Sequence, residues 1–328
     1  MNVTHLRTLA LTGATGFVGS ALSQHLRSSG WNVRALCRSE PPTDARGIGR
    51  VAWVRGSLED PDSLRALVGG AAAVVHCAGA IRGTTAAHFD RTNVDGTARL
   101  VRAAREQHPE MRFLLVSSLA ARAPHLSHYA RSKRLGEDAV RAGAGAMTWT
   151  ALRPPAVYGP GDRETLPLVR CMRLGVAPVL GEERARFSVL FVEDLADAVC
   201  HLLDTPHWRP GPFEIHDGQA GGYGWGDLVR TVSRIVGRRV LAVRIPAPLL
   251  GVAARVSLGV ARRCGGLPML TPGKVRELTH PDWVCDDAPL RAATGWRPAT
   301  LLEPGMRRTL ARLRGGRWAD GQRGSRSR

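Results

Sequence analysis

At 328 residues and 44% hydrophobic content, the chain can bury one large α/β core or a core with a smaller companion, and disorder throughout is excluded. Six cysteines (Cys37, Cys77, Cys171, Cys200, Cys264 and Cys285) form no CxxC pair and no metal-like spacing with histidine. A disulfide scaffold and a bound metal are therefore not expected, and free thiols of a reducing compartment are. The net charge of +18 would suit nucleic acid or an anionic surface, yet all but two of the 46 basic residues are arginine, the lysines being Lys133 and Lys274. GC-rich coding produces that skew without selection for binding, and no interleaving of aromatic and basic residues supports a nucleic-acid partner.

Apolar runs of strand length alternate with helical stretches through the first half, the signature of a parallel sheet with helices on both faces. The pattern predicts a strand over 8–11, a helix over 18–28, and strands over 32–37, 52–54, 73–77 and 112–117. Helices are predicted over 62–68, 92–107 and 129–141, the last leading into the strand TWTALR at 148–153. After Arg153 the Pro- and Gly-rich PPAVYGPGD opens an insertion outside the sheet, and FSVLFVEDLADAVCHLL returns to strand and helix. The expected fold class is α/β, a doubly wound parallel sheet with a smaller, discontinuous substrate-binding domain. Residues 1–153 and about 187–215 would form the sheet domain, 154–186 and 216–314 the smaller one, and 315–328 a basic disordered tail. No secretory signal and no run of ~18 apolar residues stands out, so a cytoplasmic protein is expected.

In LTGATGFVGS the glycines Gly13, Gly16 and Gly19 follow the first predicted strand and enter a helix. Gly13 permits a tight turn, Gly16 lets backbone N–H groups approach a pyrophosphate, and Gly19 lets the helix lie close to the strand. The sheet is thus expected to be of Rossmann type, with Gly13, Thr15, Gly16, Phe17, Val18 and Gly19 as its cofactor loop. The next strand ends ALCRS, placing Arg38 where an acid would hold the ribose hydroxyls of NAD; an arginine there suits a 2′-phosphate, so NADP is favoured over NAD.

The strand FLLVSS ends on Ser117 and Ser118, and YARSK follows with Tyr129 and Lys133. A spacing of four on a helix puts both side chains on one face. An ammonium beside the phenol would lower its pKa from ~10 towards neutrality, as proton transfer requires, and Ser118 could donate to the same substrate oxygen.

Taken together, TGATGFVG, HCAGA, NVDGT, VSS, YARSK, LRPPAVYGPGD, FVEDLADAV and TGWRPAT resemble, in order, the short-chain dehydrogenase/reductase superfamily. The similarity is to its extended group of sugar-nucleotide epimerases, dehydratases, dihydroflavonol-type reductases and 3β-hydroxysteroid dehydrogenases. That resemblance implies hydride transfer, with Tyr129 exchanging a proton, Lys133 binding the nicotinamide ribose, Ser118 orienting the carbonyl and Asn93 supporting the site through its helix. It also implies that Ala78 and Gly79 line the cofactor and that Pro154 and Pro155 flank the nicotinamide, and it makes a homodimer an expectation.

Three departures separate the chain from the sugar-nucleotide enzymes. Leu119 and Ala120 stand where dehydratases carry Asp-Glu; Ala156 replaces the asparagine that contacts a substrate diphosphate; and Phe187 takes the place of an arginine, with Arg186 one step away. IPAPLLGVAARVSLGVARR sets Leu249, Val252, Val256 and Val260 at helical spacing, with Arg255, Arg262 and Arg263 elsewhere. This suits a wall of an apolar substrate pocket, a helix peripheral to the inner face of an anionic membrane, or a core-packing helix. The expected activity is NADPH-dependent reduction of a carbonyl on a lipid-like substrate. PHLSHYARSK and KVRELTHPDWVCDDAPLRAATGWRPA are similar to bacterial reductases of 3-ketosphinganine or 3-oxo-ceramide. An NDP-sugar epimerase with retained NAD and a non-catalytic cofactor-binding scaffold are the alternatives.

Overall fold

In the computed structural model, which describes residues 7–40, 51–206 and 208–314, the chain enters through β1 (Thr8–Thr12), α1 (Phe17–Ser28) and β2 (Asn32–Cys37). Then come β3 (Ala52–Arg55), α2 (Pro61–Val68), β4 (Ala73–His76), α3 (Ala86–Asp90), a π-helical turn (Arg91–Gly96) and α4 (Thr97–Gln107). β5 (Arg112–Val116), α5 (His128–Gly143) and β6 (Trp149–Arg153) follow. Next are β7 (Ala156–Tyr158), α6 (Leu166–Arg173), β8 (Val176–Leu180), β9 (Arg186–Phe187), β10 (Val189–Phe191), α7 (Val192–Asp204) and β11 (Gly211–Glu214). The remainder holds β12 (Tyr223–Gly224), α8 (Trp225–Val236), β13 (Leu241–Ile245), α9 (Ala247–Cys264), α10 (Pro272–Thr279), β14 (Asp282–Trp283), α11 (Ala288–Thr294) and α12 (Leu302–Arg314).

Seven strands form one sheet in the order β3-β2-β1-β4-β5-β6-β11, every pairing parallel. This is the expected doubly wound α/β fold. The near-continuous apolar runs of β1, β4 and β5 follow from it, because a strand covered by helices on both faces has no solvent side. Leu22 and Leu26 of α1 join Leu195, Val199 and Leu203 of α7 in the core on one face. Leu64 and Leu67 of α2, Leu100 and Val101 of α4 and Val140 of α5 fill the other. The strand order reverses between β1 and β4, and in such sheets the crevice at that reversal is where ligands bind.

Two elements differ from the sequence-based expectation. The helix predicted over 92–107 begins at Ala86 and widens at Arg91–Gly96, because the backbone there makes a π turn that a 3.6-residue period does not reveal. Leu290 and Trp296, expected among the substrate-side segments, are buried in the same core as Leu9 and Leu195, and the Trp296 indole N–H donates to Asp197 at 2.8 Å. The nearby Thr300 donates to Asp194 through its backbone N–H and hydroxyl, so the late TGWRPAT motif anchors the chain to α7. All six cysteines are free, and no helix among the described residues is long and apolar enough to cross a membrane. The expected basic tail, 315–328, lies outside the described residues.

One buried ion pair ties the strand ends to α5. Glu137 accepts from Arg153 at the end of β6, Nε to Oε1 at 2.9 Å and the terminal nitrogen to Oε2 at 2.5 Å, and from the Ser117 hydroxyl just beyond β5 at 2.5 Å. Glu137 is almost wholly buried, with 5% of its side chain exposed, so removing its charge strands a guanidinium in the interior. Glu137→Ala is expected to lower unfolding free energy by about 3–5 kcal/mol, whereas the apolar pair Glu137→Leu with Arg153→Met recovers most of it. Urea unfolding checks this; a single variant within 1 kcal/mol of the parent would show that the pair does not hold the fold.

Candidate active site

At the crevice, Gly13 follows β1 with φ of +77°, and Gly16 caps α1 without any side-chain partner. A Cβ on Gly13 would lie 2.6 Å from the Ala78 nitrogen, and one on Gly19 would lie 2.0 Å from the Gly13 carbonyl oxygen. Both are closer than atoms can approach, so only glycine lets β1, α1 and the segment after β4 meet here. Thr15 and Gly16 are exposed while Phe17 and Val18 are half-buried, leaving the first-turn N–H groups of α1 at an open rim suited to an anion. Ala78 lies against this loop, and a Cβ on the next residue, Gly79, would be 3.3 Å from Asn93 Oδ1 and 3.8 Å from the Lys133 nitrogen. Arg38 is exposed just past β2, the strand that pairs with β1.

A polar chain joins this crevice to α5. Thr12 accepts from the Ala78 N–H at 3.1 Å and lies 2.6 Å from His76 Nδ1, while His76 Nε2 lies 2.9 Å from the Thr97 hydroxyl. Thr97 donates its own proton to the Asn93 carbonyl, so His76 carries its proton on Nε2 and accepts from Thr12 on Nδ1. Burial, with Lys133 adding to it, pushes His76 down to about 3, so it stays neutral: it is a structural link. Asn93, buried in the π turn, accepts from the Ala80 N–H at 2.8 Å and donates to the Ala80 carbonyl at 3.0 Å and to the Ser132 hydroxyl at 2.8 Å. Ser132 in turn donates to the Tyr129 carbonyl.

Ser118, Tyr129 and Lys133 come together as their spacing predicts. Ser118 caps the short helical turn after β5 by accepting from Ala120 N–H at 3.2 Å, and a hydrogen bond also joins its side chain to that of Tyr129. Pro154, buried past β6, holds the same turn by accepting from the Leu119 N–H at 2.8 Å, and Pro155 is half-buried beside it. Lys133 is buried, donates to the Val116 carbonyl at 2.8 Å, and is pushed down to about 8 by burial, against the opposing pull of Cys77 and Glu137.

The tyrosine departs from expectation. Burial, reinforced by the charge of Glu277, pushes the Tyr129 phenol up to about 12, against the lowering effect of Ser118. With the Lys133 ammonium turned to a backbone carbonyl, the ordering towards neutrality that the motif suggested is not found.

Glu277 and Lys274 belong to α10, a part of the site that the motifs did not indicate. Glu277 is buried, accepts a short hydrogen bond from the Ser127 hydroxyl and pairs with Lys274 at 2.8 Å. The Lys274 nitrogen stands 5.7 Å from the centre of the Tyr129 ring, and Phe89 meets that ring edge-on. The two lysines of this arginine-rich chain are thus one on the Tyr129 helix and one against the Tyr129 ring, a juxtaposition that only the fold brings about. Beside Tyr129 opens a cleft of about 160 Å³ walled by Ile81, Phe89, Leu258, Pro268 and Met269, with Arg262 and Lys274 also on its lining. Leu249, Val252, Val256 and Val260 do not wall it; they face outward. Among the described residues no cluster could hold a metal ion.

The family model described as NAD dependent epimerase/dehydratase family matches residues 9–215. A ceramide reductase of Caulobacter vibrioides is 39% identical over 283 residues, covering 86% of this chain and 87% of that protein. A 2-alkyl-3-oxoalkanoate reductase of Stenotrophomonas maltophilia is 28% identical, covering 92% and 98%. The fold matches MoeE5, solved in complex with UDP-glucuronic acid and NAD, with a TM-score of 0.73, 22% identity, and coverage of 94% of this chain and 99% of that one. The chain belongs to the NAD-dependent epimerase/dehydratase family and is an NAD(P)-dependent oxidoreductase of the short-chain dehydrogenase/reductase superfamily.

Proposed function

We propose that the chain reduces a 3-keto group on a hydrophobic, lipid-like substrate with NADPH, 3-ketosphinganine or 3-oxo-ceramide being the substrates that fit best. The observation that carries this reading is the apolar wall of Ile81, Phe89, Leu258, Pro268 and Met269 beside the Tyr129 phenol. Similarity to a ceramide reductase supports it. A sugar nucleotide fits less well: Ala156 is exposed and offers no polar side chain, and the Arg186 guanidinium is bound to the carbonyls of Gly221 and Gly222.

The glycine cradle fits a dinucleotide, because the space a Cβ would fill at Gly13 and Gly19 is occupied by backbone and the N–H groups of α1 remain open. Gly13 to Gly19 would hold the pyrophosphate, Arg38 the 2′-phosphate, and Lys133 with Ala78, Gly79 and Pro154 the nicotinamide end. The cofactor supplies a hydride to the carbonyl carbon. Ser118 and Tyr129 would hold the carbonyl oxygen, and the Tyr129 hydroxyl would deliver its proton as the alcohol forms. A phenol pushed up to about 12 holds its proton at neutral pH, so the hydroxyl has a proton to give, while the burial that raises it works against the transfer. Asn93 would position this helix by tying Tyr129 and Ser132 to the loop at Ala80.

Tyr129→Phe is expected to lower kcat for NADPH oxidation with a long-chain 3-keto lipid by ~10²–10⁴-fold with NADPH affinity unchanged. Turnover of a UDP-sugar, with no NADPH oxidised across a 3-keto lipid panel, would overturn the proposal. Arg38→Ala is expected to weaken NADPH by roughly 10–100-fold, the value of a charge-assisted hydrogen bond, and to leave NADH unaffected; equal losses for the two cofactors would remove Arg38 from the 2′-phosphate site.

The pH dependence follows from Lys133. Its ammonium persists below about 8 and is lost above, while Tyr129 keeps its proton to about 12. Reductive kcat/KM is therefore expected to be level from pH 6 to 7.5 and to fall through about 8, whereas a limb rising from acid to neutral pH would contradict the assignment.

A further inference from the structure

α9 is apolar on two opposite faces. Leu250, Ala254 and Ala261 are buried, with Leu250 and Ala254 packing against Val275 of α10, which accounts for one face. On the other, Leu249, Val252, Val256 and Val260 are 54–62% exposed, and Leu267 just past the helix is 53% exposed. A helix resting on a globular core ordinarily turns charged residues outward, so this strip implies something that covers it. The adjoining two-stranded sheet of β8 and β13 also exposes Leu241 and Val243, with Val176 paired to Leu241.

Charge identifies the cover. From Leu228 to Arg276 the 49 residues carry ten cations and no acid, and of the ten Arg230, Arg234 and Lys274 pair with acids outside that stretch, whereas no ion pair is seen for the arginines of α9 and β13 among the described residues. Arg255, Arg262 and Arg263 of α9 and Arg244 of β13 are all exposed. Two copies of such a face would bring like charges together, which disfavours self-association through it. Apolar side chains bordered by arginine instead match the acyl boundary and phosphates of an anionic bilayer, and α9 can lie on such a surface without crossing it.

α9 also joins this strip to the catalytic cleft, since Leu258 and Arg262 line the cleft beside Tyr129. The cleft's 160 Å³ is about half the ~300 Å³ at which pockets begin to enclose drug-sized ligands, too little for long alkyl chains. We propose that the outer face of α9 docks the protein on an anionic membrane surface with the mouth of the cleft towards the lipid. The keto segment of a substrate then reaches Tyr129 while its alkyl chains stay in the bilayer. The substrate half of this statement rests on the lipid-like substrate proposed above; the docking half rests on exposure and charge alone.

The test is co-sedimentation of the full chain with vesicles of phosphatidylcholine, with and without phosphatidylglycerol, together with NADPH oxidation on a long-chain 3-keto lipid in those vesicles and on a short, water-soluble 3-keto analogue. Binding is expected only with phosphatidylglycerol. Val256→Asp with Val260→Asp is expected to weaken it by ~10-fold or more, by replacing inserted methyl groups with charge. Arg255→Gln with Arg263→Gln is expected to weaken it about fivefold per charge removed. The aspartate variant should keep the parent's circular dichroism and its rate on the short analogue while losing rate on the vesicle-borne lipid. Equal binding to neutral vesicles, unchanged binding by the aspartate variant, or a dimer that this variant converts to monomer would each overturn the docking. Vesicle binding without turnover of either keto substrate would leave docking standing and overturn the substrate reading.

Discussion

The site depends on a single carboxylate in the interior. Glu137 stands one helical turn beyond Lys133, as Lys133 stands one turn beyond Tyr129, and it holds both the Ser117 hydroxyl at the end of β5 and the Arg153 guanidinium at the end of β6. Ser118 comes from one of those strand ends and Tyr129 from the helix, so their mutual distance is set by how firmly α5 is fixed to the sheet. A buried charge contributes little net stability over an apolar pair, but its geometry is specific. That specificity is what the proposed proton donor, Tyr129, and orienting hydroxyl, Ser118, would need.

From the other side the same helix is held by neutral groups. Thr12, His76, Thr97, Asn93 and Ser132 form a run of hydrogen bonds from the end of β1, beside the glycine loop, to the backbone of Tyr129. Each member has its partner, and His76, pushed to about 3, cannot introduce a charge into the run at physiological pH. The glycine loop and the Tyr129 helix are therefore parts of one connected structure, and the π turn carries the Asn93 that bonds to both Ala80 and Ser132.

What the sequence disclosed and what it hid have physical causes. The glycine loop and the Tyr129–Lys133 pair were legible because each is local: steric exclusion at Gly13 and Gly19, and helical spacing in α5, are written in consecutive residues. The parallel sheet was legible because strands covered on both faces carry unbroken apolar runs. Glu277 and Lys274 were not, since the loops that fold α10 onto Ser127 leave no periodicity linking residues so far apart. Nor could the period of α9 say which face turns inward; with apolar residues on both, only packing against Val275 decides it. The pKa of Tyr129 was misjudged for a related reason, because a motif reports which charges are near in sequence and says nothing of burial or of where an ammonium points.

The scarcity of lysine has a practical side. Lys133, inside α5, is buried with its nitrogen on the Val116 carbonyl, and Lys274, with 31% of its side chain exposed, stands at the cleft. Since these are the only side-chain amines of the chain and Lys274 is the exposed one, side-chain acylation that ordinarily scatters over a protein surface becomes directed at the cleft. Covalent capture, fluorophore attachment or cross-linking at amines would thus report on the occupancy of the site itself, with arginine carrying the surface charge undisturbed.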